Sequence, residues 1–259
     1  MLNLNWLLSV AHAEGEAEAA VTEAVEEVVE AAAEAEPTWL QTAFEKFAEM
    51  PVWGWVLLAV LLVGGVVLWR VVRGEKRTVW TTRMVSLGAV CIALSSVLSL
   101  VRLYRMPMGG SITPASMLPL MLFAYLYGTV PGVTLGIIYS LLQIILDGGS
   151  AIAYGVVPLL IDYPVAFGLL GLAGLFRRLR DERAGLLAGV IAGSVGRFLA
   201  AFVSGWVFYG EYCTYYGFAS PVLYSICYNG AYMLPECVIC VLMAALIGPR
   251  LVKELRKVS

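Results

Sequence analysis

Histidine is almost absent from this 259-residue chain: the single one, His12, sits in the N-terminal tail. Ser/His or Cys/His nucleophilic catalysis within the apolar part therefore lacks its base, and a His-rich metal site is excluded. No G-x-x-x-x-G-K-[ST] run occurs, so any ATP-driven work falls to another subunit. The cysteines are few and odd in number (Cys91, Cys213, Cys227, Cys237, Cys240). Four lie inside apolar runs, which fits small buried hydrophobes rather than a disulfide framework. Cys237-x-x-Cys240 has apolar neighbours and reads the same way.

Charge is scarce as well, at 14% against 60% hydrophobic residues, more apolar surface than one soluble domain hides. Apolar runs recur near the 20-residue length of a helical membrane span, not as the alternating ten-residue segments of a barrel. The expected fold is an all-α integral membrane protein. Spans are expected at 84–103, 115–128, 130–147, 154–176, 185–209 and 222–248, with one additional N-terminal helix before them. Residues 1–50 read as an acidic low-complexity tail and an interfacial segment, and 51–77 as the additional transmembrane helix. Residues 78–259 read as the six-helix domain. Ala11-His12-Ala13 has the small residues of a cleavage site, but no base precedes it.

Thirteen of the seventeen Lys and Arg residues fall in three segments, 70–83, 177–183 and 250–259, all on one side by span counting. An excess of bases marks the cytoplasm. The C-terminus is then inside, the N-terminal tail outside, and the connections 103–114, 147–153 and 210–221 face outward. Arg102 and Arg105 are exceptions on the outer side.

Ionisable groups within hydrocarbon are costly unless paired or facing a wet cavity, so Asp147, Asp162, Arg197 and Glu236 are the informative residues. Arg197 and Glu236 fall near the middles of antiparallel spans, and a structural ion pair is expected between them. Asp162 has no spare base at its depth. Tyr154, Tyr163, Trp206, Tyr209, Tyr224, Tyr228 and Asn229 fall near its level. Aromatic faces, an amide and a carboxylate suit a flat cation. The alternative for the tyrosines is an interfacial aromatic belt. The Met106-Pro-Met-Gly-Gly-Ser-Ile-Thr-Pro114 connection, including Met108, Gly109, Gly110 and Ser111, reads as a defined loop able to act as a lid. Ala89 and Ala93 form a small-xxx-small face open to close helix approach. Two other classes remain: an intramembrane enzyme using Asp147 and Asp162 as a carboxylate pair, and an autonomous ion-coupled carrier.

Residues 82–257 resemble the thiamine-specific substrate-binding (S) components of energy-coupling factor (ECF) vitamin transporters. The resemblance rests on M-P-M-G-G-S at 106–111, S-M-L-P at 116–119, G-x-x-Y-x-x-L-Q at 136–143 and L-L-I-D-Y-P-x-A at 159–166. It continues through G-x-x-x-R-F at 193–198, S-G-x-x-F-Y-G-E-Y at 204–212 and Y-S-x-x-Y-N-x-x-Y-x-x-P-E at 224–236. It implies a six-helix S-component bundle in a prokaryotic plasma membrane, without enzymatic activity or cofactor. It further implies that thiamine is captured from outside in a pocket closed by the first outer loop and released inward with a membrane T component and two ATPase subunits. By motif position, Asp162 faces the thiamine cation, followed by Tyr163, with Gly205, Tyr224 and Asn229 at ligand positions. Ala89 and Ala93 fall where the family meets its T component. Two residues depart from the pattern: Ala201 replaces a histidine, and Tyr209 replaces a tryptophan. A thiamine precursor or another cationic heterocycle is the alternative ligand.

Overall fold

The computed structural model describes residues 79–107, 109–147 and 155–258. The expected acidic tail and additional helix, Met108 and Tyr154 lie outside the described residues.

The segments follow the apolar runs. Helix α1 (Thr82–Leu100) starts at Thr81, whose Oγ1 accepts the Met84 N–H at 3.2 Å, satisfying one donor left unpaired by the first turn. A two-stranded antiparallel hairpin follows, β1 (Tyr104–Arg105) against β2 (Ser111–Ile112), with Tyr104 opposite Ile112. Helix α2 (Leu118–Tyr127) ends at Gly128, and α3 (Thr129–Asp147) begins directly after it. At ten residues α2 is about 15 Å long, half of what a bilayer core of roughly 30 Å requires. It forms the centre of the core instead: Leu118 to Tyr125 are all buried, packed with Met84 and Cys91 of α1 and Leu135 and Tyr139 of α3.

Helix α4 (Val156–Arg178) is irregular. It opens as an α-helix to Leu160, widens to a π-helical turn over Ile161–Val165, and finishes as a 3₁₀ stretch from Leu169. Pro164 lies inside that turn. Proline lacks the N–H that would bond one turn back, and its ring collides with the carbonyl there. Widening the helix relieves that clash, and such turns cluster at functional sites. Helix α5 (Glu182–Val207) is capped by Asp181, which accepts from the N–H groups of Arg183 and Ala184. A short α6 (Tyr212–Tyr215) leads to α7 (Pro221–Val258), 38 residues that carry Pro235 and Pro249 without a break.

Among the described residues five helices, Thr82–Leu100, Thr129–Asp147, Val157–Arg178, Glu182–Val207 and Pro221–Lys257, are long and apolar enough to cross a membrane. With the short α2 they match the six expected segments. The described residues thus form a helical membrane bundle with one small hairpin. Arg256 near the end of α7 pairs with Glu182 at the start of α5 at 2.8 Å, so two of the three basic segments meet at one end. The hairpin, the C-terminal ends of α1, α3 and α5 and the N-terminal end of α7 gather at the other. All five cysteines are free thiols.

Candidate functional site

That second end encloses a cavity of about 310 Å³. Five helices (α1, α3, α4, α5 and α7) and the hairpin reach it because the antiparallel order brings alternate helix ends together. The π turn of α4 delivers Asp162 and Tyr163, α5 delivers Arg197, Ala201 and Gly205, and α7 delivers Tyr224, Tyr228, Asn229, Tyr232 and Glu236. Tyr209 enters from just beyond α5, and Gly109, Gly110 and Ser111 enter from the hairpin. Of the described residues expected near Asp162, all but Trp206 therefore line one space. Trp206 is buried and stacks on Phe202 at 6.0 Å between ring centroids.

The hairpin is held against α7. The Tyr228 hydroxyl donates to the Gly109 carbonyl at 3.0 Å, and the Met106 N–H donates to the Gly110 carbonyl across the turn. Gly110 has φ +81°, and a Cβ there would lie 2.9 Å from the Tyr232 ring, so both backbone conformation and space demand glycine. Along α7 the rings form a continuous wall. Tyr224 and Tyr228 are 5.5 Å apart, Tyr228 and Tyr232 are 6.4 Å apart, and Tyr216 stacks on Tyr224 at 5.7 Å.

Asn229 is buried with both ends of its amide engaged. Its Nδ2 donates to the carbonyls of Ala201 and Ser225, and its Oδ1 accepts the Tyr232 hydroxyl at 3.0 Å. Ser225 Oγ donates to the Phe202 carbonyl at 2.7 Å. These bonds join α5 to α7 where Gly205 lets them touch: a Cβ there would lie 2.5 Å from Ser225 Oγ and 2.8 Å from Asn229 Nδ2.

The expected ion pair between Arg197 and Glu236 is not formed; among the described residues no such contact lies within 4.0 Å. Glu236, 1% exposed, accepts instead from the hydroxyls of Thr113 and Ser116. Counting residues matches depth but not direction around the helix axis, and the hydroxyls occupy the side facing Glu236. They are brought there by Ala115, at φ +63°, a conformation costing about 1–3 kcal/mol outside glycine. Arg197 lies over the Phe167 ring at 4.4 Å to its centroid, with its buried Nε lacking a hydrogen-bond acceptor. From there its charge acts on both Asp162 and Glu236.

Asp147 also lines the cavity but is committed to other partners. Its Oδ1 pairs with Arg102 Nη2 at 3.1 Å and its Oδ2 accepts the Tyr163 hydroxyl at 3.0 Å. This accounts for Arg102, one of the two bases that run against the charge pattern, and it argues against a shared-proton carboxylate pair with Asp162. Among the described residues no group of His, Cys, Asp and Glu is arranged to hold a metal. Ala89 and Ala93 are exposed on α1, on the face opposite buried Met84, Gly88 and Cys91.

Sequence reasoning missed Thr113, Ser116, Phe167 and Tyr232 as cavity residues. The hydroxyls flanking Pro114-Ala115 offered one signal, since polar groups just ahead of an apolar run need a partner once buried. Tyr232 stood in the 224–236 motif one turn from Tyr228, whereas Phe167 gave no signal, being an ordinary aromatic residue in an apolar helix.

Comparison with known proteins agrees with this architecture. The family model for thiamine transporter protein (Thia_YuaJ) matches residues 85–255. Thiamine transporter ThiT of Bacillus subtilis (strain 168) is 33% identical over 182 residues, 64% of this chain and 92% of that protein. The protein of the same name from Lacticaseibacillus paracasei is 27% identical over 142 residues, 51% of this chain and 70% of its own. A solved structure of ThiT from Listeria monocytogenes superposes with a TM-score of 0.57 at 23% identity, covering 68% of this chain and 96% of that one, and so supports the fold. With the family model spanning most of the chain and nearly the whole of a relative aligned, the chain belongs to the thiamine transporter (Thia_YuaJ) family.

Proposed function

We propose that this chain is the membrane-embedded thiamine-binding S component of an ECF-type importer. It captures thiamine from the outer side and releases it inward with a membrane T component and two ATPase subunits. The observation that carries the reading is the placement of Asp162 inside the bundle. Asp147, Asp162 and Glu236 line the cavity together with Arg102, Arg105 and Arg197. Asp147 is matched by Arg102, Glu236 is held by the hydroxyls of Thr113 and Ser116, and Arg105 is exposed on the hairpin. Among the described residues Asp162 has no base in ion-pair contact, and it faces an aromatic-walled space. A monovalent flat cation supplies that counter-charge, and burial strengthens the attraction relative to water.

In this reading Asp162 neutralises the thiazolium, with Tyr163 beside it. Tyr209, Tyr224 and Tyr228 flank the rings, Gly109, Gly110 and Ser111 cover them, and Asn229 with Gly205 sets the spacing of α5 and α7. Tyr154 belongs to the same site by its level along the chain. The chain performs no chemistry and needs no cofactor, so ATP hydrolysis falls to partner subunits. Exposed Ala89 and Ala93 are the proposed contact with the T component, because small side chains allow close helix approach. The basic segments support a cytoplasmic C-terminus and an N-terminal tail outside.

Thiamine titrated into purified protein by calorimetry tests the reading. Tight binding is expected. No binding by the wild type overturns the ligand, and reconstituted vesicles that accumulate thiamine without ATPase subunits overturn the S-component assignment in favour of an ion-coupled carrier. A related cationic heterocycle is the second reading, favoured by Ala201, whose methyl offers no hydrogen bond where the family pattern has an imidazole.

A further inference from the structure

Asp147, Arg102 and Tyr163 come from three separated parts of the chain and meet at one carboxylate. Arg102 lies between the end of α1 and the hairpin, Asp147 is the last residue of α3, and Tyr163 follows Asp162 on the π turn. Both carboxylate oxygens are used, at 3.1 Å to Arg102 and 3.0 Å to Tyr163. The paired side chains are only 27% and 33% exposed, so the contact is shielded from the screening that weakens surface pairs. Leu103, next to Arg102, donates its N–H to the Ile112 carbonyl at 2.8 Å, so Arg102 is joined to the base of the hairpin.

We propose that Arg102, Asp147 and Tyr163 form a latch that ties the base of the hairpin to the turn carrying Asp162, so that covering the cavity and aiming its carboxylate happen as one event. The tip is held separately, through Tyr228 and Gly109. With a tether at each end, opening at the base requires the latch to break and opening at the tip requires the Tyr228 contact to break. Asp147 is then a positioning residue: it acts through Tyr163 and Arg102 and not as a counter-charge for the ligand.

The ligand consequences rest on the thiamine reading, whereas the mechanical ones do not. A role in charge alone and a role as latch predict opposite signs. As charge alone, Arg102→Gln removes a positive group and tightens a cation, while Asp147→Asn removes a negative group and weakens it. As a latch, both changes free the hairpin and both weaken binding.

The experiment uses the full-length protein in detergent with the variants Arg102→Gln, Asp147→Asn, Tyr163→Phe and the double variant Arg102→Gln/Asp147→Asn. Amide hydrogen exchange without ligand should show residues 103–112 deprotected in each, and thiamine should dissociate roughly tenfold faster from each single variant. The double variant should be no worse than the weaker single. Unchanged exchange over 103–112 overturns the latch even if thiamine binds. Tighter thiamine binding by Arg102→Gln, or fully additive losses in the double variant, also overturns it. Deprotection of the hairpin together with no thiamine binding by the wild type supports the latch and overturns the ligand. Tyr163→Phe removes a single hydroxyl and tests the latch if the charge variants do not fold.

Discussion

The Thr113 hydroxyl donates to the Glu236 carboxylate, linking the segment ahead of α2 to the middle of α7. Ser116 donates to the same oxygen at 2.9 Å, so a carboxylate that the sequence places in hydrocarbon is held by neutral donors. Such a group is costly to leave short of a donor. Thr113→Val keeps the shape and removes the hydroxyl, and is expected to lower stability by about 1–3 kcal/mol. Thermal unfolding in detergent, compared with Ser116→Ala, measures it. An unchanged melting temperature for both variants would mean that Glu236 does not depend on these donors.

Asp162→Asn keeps the size and hydrogen-bonding reach of the side chain and removes its charge. If the carboxylate balances a bound cation, thiamine affinity should fall roughly a hundredfold or more, the scale of breaking a shielded ion pair. A neutral isostere of thiamine, lacking the ring charge, should bind wild type and variant alike. Equal affinity of both proteins for thiamine would sink Asp162 as the counter-charge.

Gly205→Ala places a methyl group where the structure has Ser225 Oγ at 2.5 Å and Asn229 Nδ2 at 2.8 Å. Both belong to the hydrogen-bonded seam between α5 and α7, so they yield only by breaking bonds to Ala201 or Phe202. Overpacking of this kind costs about 1–3 kcal/mol. The variant should melt earlier, and thiamine should weaken in parallel because α7 carries the tyrosine wall. A variant as stable as wild type would show that the helices separate freely at this point.

The helices and the cavity were legible to different depths. Spans are read from apolar length, and all six appear, but the shortness of α2 depends on its being wrapped on every side. Asp162 stood out because a carboxylate in an apolar run demands an explanation. Its neighbour Pro164 carried the signal for the π turn, since proline inside a span disrupts regular helix. The partner of Glu236 was hidden for a geometric reason: depth follows from counting, whereas direction depends on how α5 and α7 are rotated and on Thr113 and Ser116, more than a hundred residues away in sequence. Arg102 looked like noise in the charge pattern until Asp147 was seen beside it. Asn229 was recognisable as a polar residue of the site, but its role in joining α5 to α7 depends on main-chain carbonyls that no side-chain pattern reveals.

Phe167 lies against one of the cavity's positive charges, that of Arg197. Its ring lies under the Arg197 guanidinium at 4.4 Å, and an aromatic face holds a cation by about 0.5–2 kcal/mol depending on solvent access. Phe167→Leu keeps an apolar side chain and removes that attraction. Arg197 is then free to move onto Asp162 or Glu236, both of which already feel its charge. A direct pair with Asp162 would neutralise the carboxylate assigned to the ligand. Thiamine affinity should therefore fall roughly tenfold, with a smaller change for a neutral isostere. Calorimetric titration of both ligands separates this effect from lost packing, which would weaken the two equally. If thiamine and its neutral isostere lose affinity to the same extent, Phe167 serves only as core, and the position of Arg197 is set by its other neighbours.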